Sequence, residues 1–205
     1  MPQLIILPLL LDSICSVTGL FFILRKQMLS NWDNCFKLLM DSEGGFSDDQ
    51  HDNGNRMPDG RPGCTNLGVT MMTWEMYVER QSTISEMKSL LPIDVEPLYK
   101  RLFWDRTWGD RMPIGIDYLL FDYAVNAGVG QSVLLLQRAV GAHQDGAMGP
   151  LTFAATVTHD PKDLIERFSK AKIDFYKGLN DSKYERGWLN RVAHVKAAAL
   201  IMVNQ

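Results

Sequence analysis

One carboxylate in this chain stands where an amphipathic helix is expected to end. Glu43 follows apolar residues that recur at three- and four-residue steps and share one helix face: Trp32, Cys35, Phe36, Leu39 and Met40. Ser30 is placed to cap this helix, and Gly44-Gly45 to stop it just past Glu43. Lost hydration and the negative end of the helix dipole both disfavour an ionised carboxylate there. A general acid needs a neutral carboxyl, so Glu43 is predicted to be a catalytic acid; the alternative is a surface glutamate at a frayed helix end.

The elements around this residue are predicted to be mainly α-helical. The run from Ile116 to Ala127 is apolar on most sides and predicts a central buried helix, followed by another over 131–140. A single helix is expected over 97–108. Two C-terminal helices are predicted from inward-facing stripes, one with Leu164, Phe168, Ala171 and Phe175, the other with Trp188, Val192, Val195, Ala199 and Met202. Sustained two-residue alternation is absent, so any sheet is expected to be a small hairpin between Asp48 and Val69.

Composition excludes several classes of function. The 205 residues are 46% hydrophobic and 22% charged, enough for a core in one domain or a main domain with a small appendage. The net charge of −3 and the lack of a Lys/Arg block argue against a nucleic-acid partner. The sequence has no GxxxxGK[ST], no GxGxxG and no paired Cys or His at zinc spacing, so neither a metal nor a cofactor is expected.

The N-terminal segment from Leu4 to Leu24 is largely apolar. About 20 residues at a rise of about 1.5 Å would cross a hydrocarbon core, but Asp12 and other polar residues in the middle make insertion marginal. A cleaved signal peptide fits poorly, because no Lys or Arg precedes the apolar run. A helix packed on the globular domain is the alternative. Arg25-Lys26 would favour a cytoplasmic body, which leaves the orientation open.

Five motifs together resemble a known family. They are Glu43-Gly44-Gly45-Phe46 with Asp52, Thr65-Asn66-Leu67-Gly68-Val69-Thr70, Phe103-Trp104-Asp105-Arg106-Thr107-Trp108, Phe121-Asp122-Tyr123-Ala124-Val125-Asn126-Ala127-Gly128, and Gly187-Trp188-Leu189-Asn190-Arg191-Val192. In this order they resemble the glycoside hydrolase family 108 muramidases, many of which are phage endolysins. The resemblance covers roughly residues 30–199.

The resemblance implies a lysozyme-like helical domain with a small β-hairpin or loop region near the active site. Such a domain would hydrolyse the β-1,4 bond after N-acetylmuramic acid in peptidoglycan, with Glu43 as general acid. Asp52 matches an acidic position that holds or activates water, and Thr65 a threonine beside it. The alternatives are an Asx turn for Asp52 and a loop hydrogen bond for Thr65. An apparent insertion over 55–61 departs from the family pattern and is expected to move these residues or add a lip to the cleft.

Glycan binding is predicted for polar residues on the central helices. Tyr123 and Asn126, with Gln137 behind them, are candidates for contacts with acetamido or hydroxyl groups; internal hydrogen bonding is the alternative. Trp104, Trp108 and Trp188 would either stack on sugar rings or fill the core. The segment 145–152 resembles a turn of peptidoglycan-binding regions and is otherwise a connection between helices.

The chain is divided into an apolar segment 1–27, a catalytic lobe 28–115, and a helical core with a peptidoglycan-binding region over 116–205.

Three cysteines cannot all pair within one chain. The hypothesis is that Cys15 leaves the membrane with its segment and undergoes thiol exchange with Cys35 or Cys64; three buried thiols are the alternative. The expected protein is a monomer made in the host cytoplasm, tethered at the inner membrane through residues 4–24 and then periplasmic. A non-catalytic peptidoglycan-binding or virion structural module, and a membrane-anchored assembly protein, are the rival functions.

Overall fold

The structure is a computed structural model that describes residues 31–205, apart from the side chains of Ser182 and Lys183. The Ser30 cap, the apolar segment 1–27 and Cys15 lie outside the described residues. No helix within the described part of the chain is long and apolar enough to cross a membrane.

The fold is mainly α-helical, as predicted. Within residues 31–205 the helices are α1 (Asn31–Ser42), α2 (Met71–Val78), α3 (Ile84–Ser89), α4 (Pro92–Tyr99), α5 (Ile116–Ala127), α6 (Val129–Val140), α7 (Pro150–Val157), α8 (Pro161–Gly178) and α9 (Ser182–Val203). One antiparallel hairpin pairs β1 (Thr65–Asn66) with β2 (Val69–Thr70), in the register Thr65 to Thr70 and Asn66 to Val69. This small sheet confirms the predicted hairpin and the lysozyme-like class.

The core is built around α5. Every residue from Ile116 to Ala124 is buried, which confirms the central helix predicted from its all-round apolarity. Helices α6, α8 and α9 pack around it, and α8 and α9 form an antiparallel hairpin joined by residues 179–181. The predicted stripe of α9 is confirmed for Val192, Val195, Ala199 and Met202, which are all buried, whereas Trp188 at its start is only partly buried.

The single helix predicted over 97–108 is wrong. Helix α4 ends at Tyr99, a π-helical turn follows over Lys100–Trp104, and a 3₁₀ turn over Asp105–Thr107 leads to Trp108 with φ of 58°. These changes in winding bring Trp104 into the core, where it is 1% exposed and contacts Trp32 and Phe121 edge-on. Gly109 lies directly against the Trp104 ring, where a Cβ atom would clash.

The predicted inward face of α8 is partly wrong. Leu164 and Phe168 are buried as expected, but Phe175 is 39% exposed and Lys172 is only 3% exposed. The prediction used apolar residues alone. The buried face of α8 also includes Lys172, because the buried carboxylate of Asp122 on α5 faces it.

Candidate active site

Glu43 lies at the end of α1, as predicted. Its backbone N–H still donates to the Leu39 carbonyl at 3.0 Å, one residue beyond Ser42, and its side chain is 15% exposed. The predicted left-handed glycine stop is wrong, because neither Gly44 nor Gly45 has a positive φ. Both glycines are exposed, and a Cβ atom on either would meet nothing within 4 Å. The backbone next to the carboxyl group therefore borders open space.

The β-hairpin turn approaches the Glu43 carboxyl through a glycine. Gly68 has φ of 73°, and a Cβ atom on it would lie 2.6 Å from Glu43 Oε2 and 2.6 Å from the Tyr99 hydroxyl oxygen. Tyr99 donates its hydroxyl to the Leu67 carbonyl at 2.8 Å, which fixes this turn on α4. Burial, with the negative charge of Glu43 as a second cause, raises the pKa of Tyr99. Only glycine fits this position, by both conformation and space.

An arginine from the far end of the chain contacts the same carboxyl group. Arg191 of α9 donates from Nη2 to Glu43 Oε1 at 3.2 Å. The same guanidinium lies 2.8 Å from Asp122 Oδ1 through Nη2, and its Nε donates to that oxygen at 3.0 Å. The residues around Glu43 in the sequence do not predict this contact, which only the folded chain brings about.

Asp122 anchors this arginine from inside the core. Its side chain is 1% exposed, and Oδ2 accepts from Lys172 Nζ at 3.0 Å. Burial lowers the pKa of Lys172, and the contact with Asp122 opposes that effect. We call the four side chains Lys172, Asp122, Arg191 and Glu43 the ion-pair network. The sequence did contain a signal for a buried polar contact, since an aspartate in a largely apolar helix needs a partner, but it did not identify a cation as that partner.

Asp52 lies in the loop that follows Glu43, and Thr65 begins strand β1 at the end of that loop. Asp52 is exposed, and its Oδ1 accepts from the Gly54 N–H at 2.9 Å, which is the Asx turn considered as an alternative. Thr65 donates its hydroxyl to Asn55 Oδ1 at 2.7 Å and exchanges two backbone hydrogen bonds of 2.8 Å with Ser47. This pairing joins the Glu43 loop to β1. The catalytic roles of Asp52 and Thr65 stay predictions.

Asn55 organises the loop, a role that the sequence did not reveal. It is completely buried, donates to the Asp49 carbonyl at 3.0 Å, accepts from Thr65, and accepts from the Gly63 N–H through its own carbonyl at 2.9 Å. The interpretation of 55–61 as an insertion stays a prediction, and its first residue, Asn55, is part of the buried support of the loop. Arg61 is bound by both Glu75 oxygens at 3.2 and 2.9 Å, so this lip is fixed to α2.

The three predicted glycan contacts separate in the structure. Asn126 is exposed and donates to the Asp122 carbonyl at 2.6 Å, whereas Tyr123 is 1% exposed against Phe168 and Tyr176. Gln137 is also 1% exposed. Its amide nitrogen donates to Asp145 at 2.7 Å, and its oxygen accepts from the Asp145 and Gly146 N–H groups at 3.0 and 2.9 Å. Gln137 thus holds the turn before α7 and has no free group for a sugar.

Cys35 and Cys64 are free thiols, and both are completely buried. Burial raises the pKa of Cys35, with the charge of Asp117 as a second cause, and burial also raises the pKa of Cys64. Since the thiolate is the form that exchanges, neither thiol is reactive in this conformation. Across residues 31–205, no cluster of histidine, cysteine and acidic side chains is suited to hold a metal.

Comparisons with known proteins find two matching family models and a similar solved structure. A family model described as glycosyl hydrolase 108 matches residues 36–128, and one described as a predicted peptidoglycan domain matches residues 131–193. SagA of Brucella abortus has a similar structure, with a TM-score of 0.73 and 29% identity over 85% of this chain and 97% of that chain. No curated protein sequence matches. Residues 36–128 therefore match the glycosyl hydrolase 108 family and contain the Glu43 motif, whereas Arg191 lies in the region that matches the peptidoglycan domain.

Proposed function

We propose that this protein is an N-acetylmuramidase that hydrolyses the β-1,4 bond between N-acetylmuramic acid and N-acetylglucosamine. The observation that carries the proposal is the setting of Glu43. Its carboxyl group is held by the end of α1, by the turn at Gly68 and by Arg191, while the exposed Gly44-Gly45 backbone beside it borders open space. A fixed carboxyl group beside open space is the arrangement that proton donation to a glycosidic oxygen requires.

The geometry assigns different tasks to the two Glu43 oxygens. Oε1 accepts from Arg191, so Oε2 is the oxygen that carries the transferable proton in this proposal. Glu43 protonates the leaving O4 of N-acetylglucosamine as the C1–O4 bond breaks, and water adds its hydroxyl to C1 of N-acetylmuramic acid. The other proton of this water passes to solvent, from which the Glu43 carboxylate is reprotonated. Arg191 acts here as a positioning residue, because Asp122 holds the guanidinium and the guanidinium holds the carboxyl group.

Asp52 is proposed to hold or activate the water. It is exposed in a polar loop, so its carboxylate keeps the hydration that Glu43 lacks. This division between a sheltered acid and a solvated carboxylate is the pattern of glycosidases that use two carboxyl groups. Thr65 contributes by fixing the loop through Asn55 and Ser47.

Clearing of outer-membrane-permeabilised Gram-negative cells tests the role of Glu43. Because general acid catalysis contributes about 10²- to 10⁴-fold, Glu43→Gln should lose at least about 100-fold in rate. Asp41→Asn is the matched control, since Asp41 is an exposed carboxylate two residues away, and it should clear at the wild-type rate. Equal clearing by Glu43→Gln and wild type would contradict the assignment. Absence of clearing by wild type, with retained binding to murein, would instead favour the non-catalytic binding module.

The biological role that we propose is that of a phage endolysin for host cell lysis. The apolar residues 4–24 would tether the protein at the inner membrane, and marginal insertion would allow release into the periplasm. Membrane depolarisation should then move the full chain from the membrane fraction to the soluble fraction. A distribution that does not change would contradict the releasable anchor.

The thiol exchange between Cys15 and Cys35 or Cys64 is a separate proposal. Both described thiols are buried, so exchange requires that α1 or β1 open locally. Lytic activity of Cys15→Ser that equals wild type in an oxidising periplasm would contradict the switch.

A further inference from the structure

Three aromatic rings form a stack at the tip of the α8–α9 hairpin. Tyr176 of α8 and Trp188 of α9 have ring centroids 5.0 Å apart at an interplanar angle of 21°. Tyr184, one helical turn earlier, adds a third ring at 5.9 Å and 31° from Trp188. We call Tyr176, Trp188 and Tyr184 the aromatic stack. Nothing in the proposed reaction uses it.

The stack becomes exposed toward its outer end. Tyr176 is 9% exposed, Trp188 is half-buried and Tyr184 is 50% exposed. Tyr184 and Trp188 lie on the same face of α9 as the buried Val192 and Val195, so they continue the core-facing stripe. Along this stripe the residue type changes from aliphatic to aromatic as the face emerges from the core.

The inner end of the aromatic stack lies next to the ion-pair network. Lys172 Nζ lies 4.5 Å from the centre of the Tyr123 ring and 6.0 Å from that of Tyr176. The same ammonium is bound by Asp122, which also binds Arg191. The aromatic stack and Glu43 therefore adjoin one network of ion pairs, in which Lys172 and Asp122 are buried and Arg191 and Glu43 are partly exposed.

Helix geometry sets the distance between the stack and the acid. Trp188 and Tyr184 precede Arg191 by three and seven residues, which is about 4.5 and 10.5 Å along the helix axis at about 1.5 Å per residue. All three residues lie within one face of α9. Arg191 touches Glu43, so the rings lead away from the acid over a distance comparable with neighbouring sugar rings in a glycan.

We propose that the half-exposed Tyr184, whose ring packs on Trp188 at the outer end of the aromatic stack, forms a stacking subsite for the glycan strand of peptidoglycan. This inference rests on the proposed function and extends it to residues that bind beyond the cleaved bond. Tyrosine and tryptophan offer flat apolar faces with a polar edge, which suits the C–H face and the hydroxyl rim of a pyranose ring. Continuity with the Glu43 site through Arg191, within the segment 131–193, favours a glycan over a lipid surface or a protein partner.

The test measures binding to purified murein sacculi and to soluble N-acetylglucosamine oligosaccharides, using the full chain with Glu43→Gln to prevent cleavage. Tyr184→Ala in this background should bind about 3- to 10-fold more weakly, as expected for the loss of one ring contact. Tyr184→Phe keeps the ring and should bind as tightly as the parent. Ile201→Ala is the matched control, because Ile201 is 60% exposed on the same helix and should not change binding.

In the otherwise wild-type chain, Tyr184→Ala should raise the KM for sacculi by a similar factor and leave kcat unchanged. Equal murein binding by Tyr184→Ala and Ile201→Ala would overturn the subsite. The subsite would also be overturned if Tyr184→Ala lost binding only to vesicles of phosphatidylglycerol and phosphatidylethanolamine, because the aromatic stack would then be a lipid contact. Trp188→Phe should retain most of the binding, and equal melting temperatures of the variants exclude misfolding. Failure of the proposed function is distinguishable, because binding does not depend on turnover.

Discussion

The buried pair between Asp122 and Lys172 gives the sharpest prediction about stability. Asp122→Asn keeps the shape of the side chain but removes the only anion that the described contacts place on Lys172. Both side chains are at most 3% exposed, so the ammonium would remain in the core without its partner. Breaking a buried pair in this way costs about 3–5 kcal/mol.

A matched control exists on the same helix. Lys170 and Asp174 of α8 form an ion pair at 2.8 Å, but their side chains are 74% and 60% exposed. Exposed pairs of this kind contribute about 0–1 kcal/mol, so Asp174→Asn should unfold almost as the wild type does. Both substitutions remove a carboxylate charge from a lysine, but they differ in burial and in the second contact that Asp122 makes with Arg191.

Urea and thermal unfolding provide the assay. For a chain of this length, Asp122→Asn should lower the melting temperature by about 10 °C, because each kcal/mol corresponds to about 2–4 °C. Adding Lys172→Met removes the stranded charge and should recover most of the loss. If Asp122→Asn lowers the free energy of unfolding by less than about 1 kcal/mol, or if the double variant is no more stable than the single one, the account of the ion-pair network is wrong.

Three further predictions follow from individual contacts. Burial raises the pKa of Asp117 from 3.8 to about 6, so the stability that its protonated form gives is complete below pH 3.8 and is lost as pH rises through about 6. Asp117→Asn should remove this part of the pH dependence of urea unfolding, and an unchanged pH dependence would contradict this. Gly68→Ala places a methyl group against the Glu43 carboxyl group and requires alanine to adopt a positive φ. Lytic activity should therefore fall by at least about tenfold, and the protein should lose about 1–3 kcal/mol of stability. Full lytic activity would refute the close approach of Gly68 to Glu43. Cys35 and Cys64 should react with a thiol reagent only after unfolding, and rapid labelling of the native protein would show that they are accessible.

The sequence predicted those parts of the fold that depend on neighbours along the chain. The end of α1 near Glu43 and the stripe of α9 follow from residues three and four apart, and both are confirmed. The same reasoning failed over 97–108, because the packing of Trp104 imposes a π turn that local propensity does not contain.

The site was predictable only in part, for a physical reason. Glu43 and Arg191 are 148 residues apart in sequence, and their contact exists only because α9 packs on α5. The burial of Lys172 was not predicted, because apolar periodicity does not include lysine and the carboxylate that neutralises it, Asp122, lies on another helix. Asn55 was missed because its partners are mostly backbone groups of its own loop, and composition does not show them.

The most direct test of the central claim is the chemistry of the products that the full chain releases from purified murein. Mass spectrometry of the muropeptides should show new reducing ends on N-acetylmuramic acid, each with one water added, and Glu43→Gln should release none above background. Reducing ends on N-acetylglucosamine, or 1,6-anhydro products without added water, would contradict hydrolysis after N-acetylmuramic acid with Glu43 as the acid.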